Sequence, residues 1–282
     1  MTVRNARSEA AARLPGHDVR VLEPSPPTAS EPPWFADDPV AGGDVVPVDR
    51  PGSRSWSAIC DETGDAELRA WCEDRWLVRR HPLLQPLPAS FVETRLALHA
   101  LAEHEIAPQR QAANGKIGLR FTYHGFGTPF FGADRQVRVE DGELVDGTVR
   151  HPITAVDPDA ARVLGDWYGM TCSLLEQLRA EAGDRPENPP PTRVQLWPEH
   201  FDLAVDLGPE AARANFGGSP GDDTHSEPYL YVGPWQSHAD DDFWNESFGA
   251  SLGYADILAG ADPLAFLRKG RDLLAGDRPP PG

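Results

Sequence analysis

The sequence predicts an α+β fold, antiparallel sheets covered by helices, and three observations carry that expectation. Segments that alternate apolar and polar residues fall in two groups, one from Ile117 to Val149 and one from Phe201 to Trp235. Each group is followed by a stretch with apolar residues at helical spacing. Both of those stretches open with Asp-Pro, at Asp157-Pro158 and Asp262-Pro263. Strands grouped apart from helices, rather than alternating with them, indicate α+β architecture. The repeated order admits a duplicated βββα unit; the plainer account is that Asp-Pro starts helices well, since proline needs no N–H there.

Residues 1–52 read as a Pro-rich extended arm. The run Pro24-Ser-Pro-Pro-Thr-Ala-Ser-Glu-Pro-Pro33 is too poor in apolar residues for a core and favours polyproline geometry. A single α+β body follows over 53–276, with a seam at the proline cluster 184–192 and a tail over 277–282. The first helix covers 65–76, with Leu68, Trp71, Cys72 and Trp76 at helical spacing. The second covers 90–106, with a stripe of Phe91, Leu98, Leu101 and Ala102 and a stop at Pro108. The third runs from the Asp157 cap to a glycine stop at Gly183, and the fourth from Asp262 to Gly276. A shorter helical turn lies around Leu252 to Leu258. Between them, Ile117 to Tyr123 alternates as a half-buried strand, and Asp141-Gly142 joins a hairpin. Phe201 to Leu207, Ala211 to Phe216 and Pro228 to Trp235 are the later strands.

The chain has 282 residues, 26 Lys+Arg against 44 Asp+Glu, and a net charge of −18. That balance opposes nucleic-acid backbones and anionic lipid. No apolar run is long enough for a membrane helix, and the N-terminus lacks the apolar region of a secretory signal. Cys60, Cys72 and Cys172 are odd in number and at no metal spacing, which suits reduced thiols in a cytoplasmic protein.

Three motif-like strings carry little chemistry. Gly125-Phe-Gly127-Thr-Pro129 lacks the third glycine of a dinucleotide loop and reads as a bend between strands. Gly217-Gly-Ser219-Pro-Gly221 fits a nucleophile elbow literally, but the acidic stretch after it cannot open the required helix. It reads as a glycine turn. His99 and His104 are five apart, which breaks zinc-helix geometry.

The region from Trp197 to Trp235 is richer. His200 and Asp202, two apart on one strand, would share a face. Tyr229, Tyr231 and Trp235 share a strand face downstream. With Trp197 they would form an aromatic surface beside two polar groups, suited to a sugar-like or polar-aromatic ligand. Arg120 and His124, on the polar side of the 117–123 strand, would add a guanidinium for an anionic group. The bland alternative is a water-facing sheet side. If the loop 222–227 folds back, His200, Asp202, His225 and Glu227 become candidate ligands for Zn²⁺, Mn²⁺ or Fe²⁺. Asp240-Asp-Asp242, followed by Phe243 and Trp244, reads either as a lid or as a pinned surface loop.

Trp197-Pro-Glu-His200-Phe-Asp202-Leu-Ala204, with Glu227-Pro-Tyr-Leu-Tyr-Val232 downstream, resembles uncharacterised bacterial proteins with a W-P-x-H-F-D-L-A signature. The resemblance covers Ile117 to Leu267 and implies a recurring role for Trp197, His200 and Asp202, with no activity attached.

The leading expectation is therefore small-molecule binding by Trp197, His200, Asp202, Tyr229, Tyr231, Trp235, Arg120 and His124, with no cofactor. The first alternative is a metal-dependent hydrolase. The second is a scaffold that engages a protein partner through the Pro-rich arm and Trp34.

Overall fold

A computed structural model describes residues 84–122, 125–129, 135–146, 149–182, 188–236 and 241–276. The arm, the 65–76 helix, His124, the tail and part of the 184–192 seam lie outside the described residues.

Helix α1 (Phe91–Leu101) enters a π turn (Ala102–Ile106) and continues as α2 (Ala107–Asn114). The stop expected at Pro108 is not there. The π turn re-phases the hydrogen-bond ladder, so Pro108 falls in the first turn of α2, where a missing N–H costs little. The helix ends instead at Gly115, whose φ of 75° lets its N–H reach Gln111 O at 2.8 Å.

Five strands then form an antiparallel meander: β1 (Arg120–Thr122), β2 (Gly125–Gly127), β3 (Val137–Glu140), β4 (Glu143–Asp146) and β5 (Val149–Pro152). Asp141 and Gly142, at φ 51° and 79°, turn β3 into β4 as a hairpin with two left-handed residues requires. Gly125-Phe-Gly127 is a buried strand rather than a bend. A Cβ at Gly125 or Gly127 would lie under 3.0 Å from the backbone of β3, so these glycines serve close strand approach.

Helix α3 (Pro158–Ala182) matches its expected span. The Asp157 carboxylate accepts the Asp159 N–H at 2.9 Å and the Ser90 hydroxyl. The second sheet follows: β6 (Gln195–Trp197), β7 (Asp202–Leu207), β8 (Ala214–Ser219), β9 (Tyr229–Pro234) and β10 (Ala250–Gly253), again a meander. Helices α4 (Tyr254–Leu258) and α5 (Pro263–Gly276) complete the order. Each half is thus five antiparallel strands followed by helix, not the three strands that the duplication idea supposed. The α+β class stands.

At the start of α5, Asp262 accepts the N–H groups of Leu264 and Ala265 at 2.9 and 3.0 Å. Asp262→Ala is expected to cost about 1 kcal/mol. Thermal melts should show the loss, and a melt identical to wild type would mean that the cap does not hold the helix.

The sheets join edge to edge through Leu119 and Leu196, whose amides bond reciprocally at 2.7 and 2.9 Å. Helix α3 lies across that junction, against β1, β2, β7 and β8. Trp167, Tyr168, Leu175 and Leu178 from α3 are buried with Phe126, Leu203, Phe216 and Leu230. Strand alternation turns Asp202, Ala204, Asp206, Gly217, Ser219, Tyr229 and Tyr231 to the opposite, outer face of the second sheet. Among the described residues no helix is long and apolar enough to cross a membrane.

Candidate functional site

The site is built around the hairpin between β6 and β7. His200 sits in its loop, exposed, and does not share a strand with Asp202; β7 begins at Asp202. The loop closes with the Phe201 N–H on Trp197 O at 2.7 Å. Phe201 has a φ of 54°, which is strained for a bulky residue. Its surroundings hold it there. The His99 ring stacks on Phe201 at 5.1 Å, Phe126 and Tyr168 meet it edge-on, and Tyr168 Oη donates to Phe201 O at 2.6 Å.

That strained residue places Asp202 on the outer face, 8% exposed. Tyr231 Oη, on β9, donates to Asp202 Oδ2 across the intervening strand β8. The ring passes over Gly217, where a Cβ would lie under 3.0 Å from Tyr231 Cζ and Oη. The other oxygen, Asp202 Oδ1, is sealed from solvent and has no hydrogen-bond partner among the described residues. Burial raises the Asp202 carboxyl above its usual range, against the Tyr231 hydroxyl and His200, which pull it down. Burial and the Asp202 carboxylate together push the Tyr231 phenol far up.

The expected aromatic row is present, and each member meets an aspartate. Tyr229 Oη donates to Asp222 Oδ2 at 2.6 Å and Tyr231 to Asp202, while the Trp235 indole lies near Asp206 and draws its carboxyl down against burial, which raises it. Trp197 pairs with Asp202 in register and is half-buried on the same side. Trp235 is 57% exposed, with the Arg213 guanidinium 5.5 Å from its ring centre. Burial would raise the Asp222 carboxyl, but the Tyr229 hydroxyl and the His225 and Thr224 amides outweigh it and hold it low.

His225 clasps this end of the sheet. Its Nε2 lies 2.9 Å from Glu246 Oε1, its Nδ1 3.7 Å from Asp222 Oδ1, and its ring rests against Tyr229 at 4.6 Å. Ser251 Oγ also donates to Glu246 Oε1, at 2.8 Å. Phe248 closes the row, 6.3 Å from Tyr229 and 6.4 Å from Tyr231.

The metal set is not brought together. His200 lies in the hairpin loop, His225 is engaged with Glu246 and Asp222, and Glu227 is exposed in the β8–β9 loop. Among the described residues no three His, Cys, Asp or Glu side chains form a group that could hold an ion. Arg120 belongs to β1 in the first sheet, while Tyr231 is on β9, three strands beyond β6 in the second. Gly217 to Ser219 is a central strand, not a turn. Phe243 and Trp244 pack toward α5, with Phe243 5.1 Å from Phe266 and under Lys269, so they form a pinned loop.

Arg95, on α1, is the residue that the sequence reading missed. It is 6% exposed, and its guanidinium makes no hydrogen bond among the described residues; its Nε is sealed. Desolvation lowers its pKa, opposed by Asp222, Tyr168, Asp223 and Tyr229. A signal existed: Arg95 is four residues after Phe91 and three before Leu98, so it falls on the buried stripe of the helix.

No protein-family model, curated protein or solved structure matches this chain.

Proposed function

We propose that this protein binds a small polar molecule on the outer face of the second sheet, in the cytoplasm. The observation that carries the reading is Asp202. A carboxylate this buried, with one oxygen bonded to Tyr231 and the other without a side-chain partner among the described residues, carries a desolvation cost. A ligand donor on Oδ1 removes that cost. Tyr229, Tyr231 and Phe248 supply apolar ring surface beside it, and Trp197 flanks it. Such a surface with few polar anchors suits a ligand that carries both apolar faces and hydrogen-bonding groups. His200, in the adjoining loop, is placed to meet a ligand from solvent.

The test is a thermal-shift screen with monosaccharides, polyols, free amino acids and small carboxylates, run on wild type and Asp202→Asn. A compound present at a hundred times its Kd adds about 2.7 kcal/mol of stability. At least one class should raise the wild-type melt and leave the variant unmoved. A panel without effect on wild type, or with equal effect on both proteins, defeats the reading.

A further inference from the structure

We infer that the outer face takes a small organic ammonium ion, seated over a cage of three rings, Tyr229, Tyr231 and Phe248. The inference rests on the binding reading above and names the ligand class for that site.

The three rings stand nearly equidistant. Their centres are 6.3 Å apart for Tyr229 and Tyr231, 6.3 Å for Tyr229 and Phe248, and 6.4 Å for Tyr231 and Phe248. None of the pairs is stacked; the planes meet at 52°, 36° and 86°. A cation over the middle of that triangle lies within about 6 Å of every ring centre, inside the range of cation–π attraction. Tyr229 and Tyr231 come from one face of β9. Phe248 comes from the turn before β10, and that turn is tightly held. Glu246 and Gly249 exchange backbone hydrogen bonds at 2.9 and 3.1 Å. Gly249 has a φ of 141°, and a Cβ there would lie under 3.0 Å from Val232 O. Phe248 is nevertheless 41% exposed, so the cage has an open side.

Local charge selects the class. Each tyrosine hydroxyl donates to a carboxylate, Tyr229 to Asp222 and Tyr231 to Asp202. A phenol bonded in this way carries more negative charge on its ring face, which strengthens its hold on a cation. Glu246, two residues before Phe248, adds a third carboxylate. Among the described residues no lysine or arginine forms an ion pair with Asp202, Asp222 or Glu246. His225 bridges Asp222 and Glu246 and braces the Tyr229 ring, and Arg95 acts on Asp222 only at a distance. An anionic ligand meets three like charges here, and a neutral one makes no use of them. A cation with apolar substituents uses both the rings and the charges.

The experiment compares choline, tetramethylammonium and lysine with 3,3-dimethylbutan-1-ol, the uncharged counterpart of choline, by thermal shift and calorimetry. Monosaccharides and small carboxylates are run beside them. The proteins are the full chain as wild type, Phe248→Leu, Phe248→Trp and Asp202→Asn. At least one ammonium compound should stabilise wild type, and the uncharged alcohol at the same concentration should not. Phe248→Leu keeps an apolar side chain at this exposed position and loses the ring, so it should bind the active cation about fivefold more weakly. Phe248→Trp should bind it more tightly, since indole is the stronger cation–π partner. Asp202→Asn removes a carboxylate charge beside the rings and should bind more weakly than wild type. The uncharged alcohol acting as strongly as choline would overturn the inference, and so would equal cation binding by wild type and Phe248→Leu. Monosaccharides or carboxylates acting where every ammonium compound fails would overturn the cation and leave the outer-face site standing. Silence from every compound class would remove both proposals.

Discussion

Gly217→Ala should lower the melting temperature by roughly 5 °C and disable the outer face. The added methyl would lie under 3.0 Å from the phenol end of Tyr231, which crosses Gly217 on its way to Asp202. β8 is central in its sheet, paired with β7 and β9, so the backbone has little room to retreat. The ring must move, and Asp202 loses its only side-chain donor among the described residues. Overpacking costs about 1–3 kcal/mol, and stranding a buried hydrogen-bonding group costs a similar amount. A combined loss of about 3 kcal/mol corresponds to roughly 5 °C in a chain of this size. Combining Gly217→Ala with Tyr231→Ala relieves the clash, so the double variant should be more stable than the two single losses predict. Additive losses, or a Gly217→Ala melt within a degree or two of wild type, would show that the ring does not take that path.

The second large effect is on pH dependence. Burial raises the Asp202 carboxyl in the folded protein, whereas in the unfolded chain it titrates near the ordinary value of about 3.9. Below about pH 3.9 both states carry the proton and the site is without penalty. As pH rises toward the folded value, the unfolded chain releases the proton while the folded protein keeps it, so stability falls. Above the folded value the loss is complete and constant. Each unit of upward displacement corresponds to about 1.4 kcal/mol. Asp146, Glu181 and Asp222 are held low by their partners and act in the opposite sense, losing stability as pH falls. Asp202→Asn isolates the first effect. Wild type minus variant stability should decline as pH rises from about 4 toward neutrality and then level off. A flat difference would mean that Asp202 titrates normally and that its burial carries no charge cost.

The fold was legible where local rules act alone. Asp157-Pro158 and Asp262-Pro263 start helices at the expected places, and Asp141-Gly142 turns a hairpin, because capping and left-handed turns depend on a few adjacent residues. Glycine was misread where its reason is distant. Gly125 answers to the β3 backbone and Gly217 to Tyr231, and neither neighbour is close in sequence. Pro108 was misread because a π turn upstream altered its position in the helix. The aromatic row with Asp202 followed from strand alternation. His200 did not, since the left-handed Phe201 ends the loop and restarts the alternation at Asp202. Arg95 was hidden by type: a charged residue on a helix reads as solvent-facing unless its phase is counted.

The reciprocal bond between Leu119 and Leu196 has a bearing on how the molecule comes apart. Among the described residues that rung is the one backbone link between the meanders, and α3 acts as the splint. Loosening α3 would therefore release both halves together, and amides on β1, β6 and α3 should exchange with solvent at a common rate set by complete unfolding.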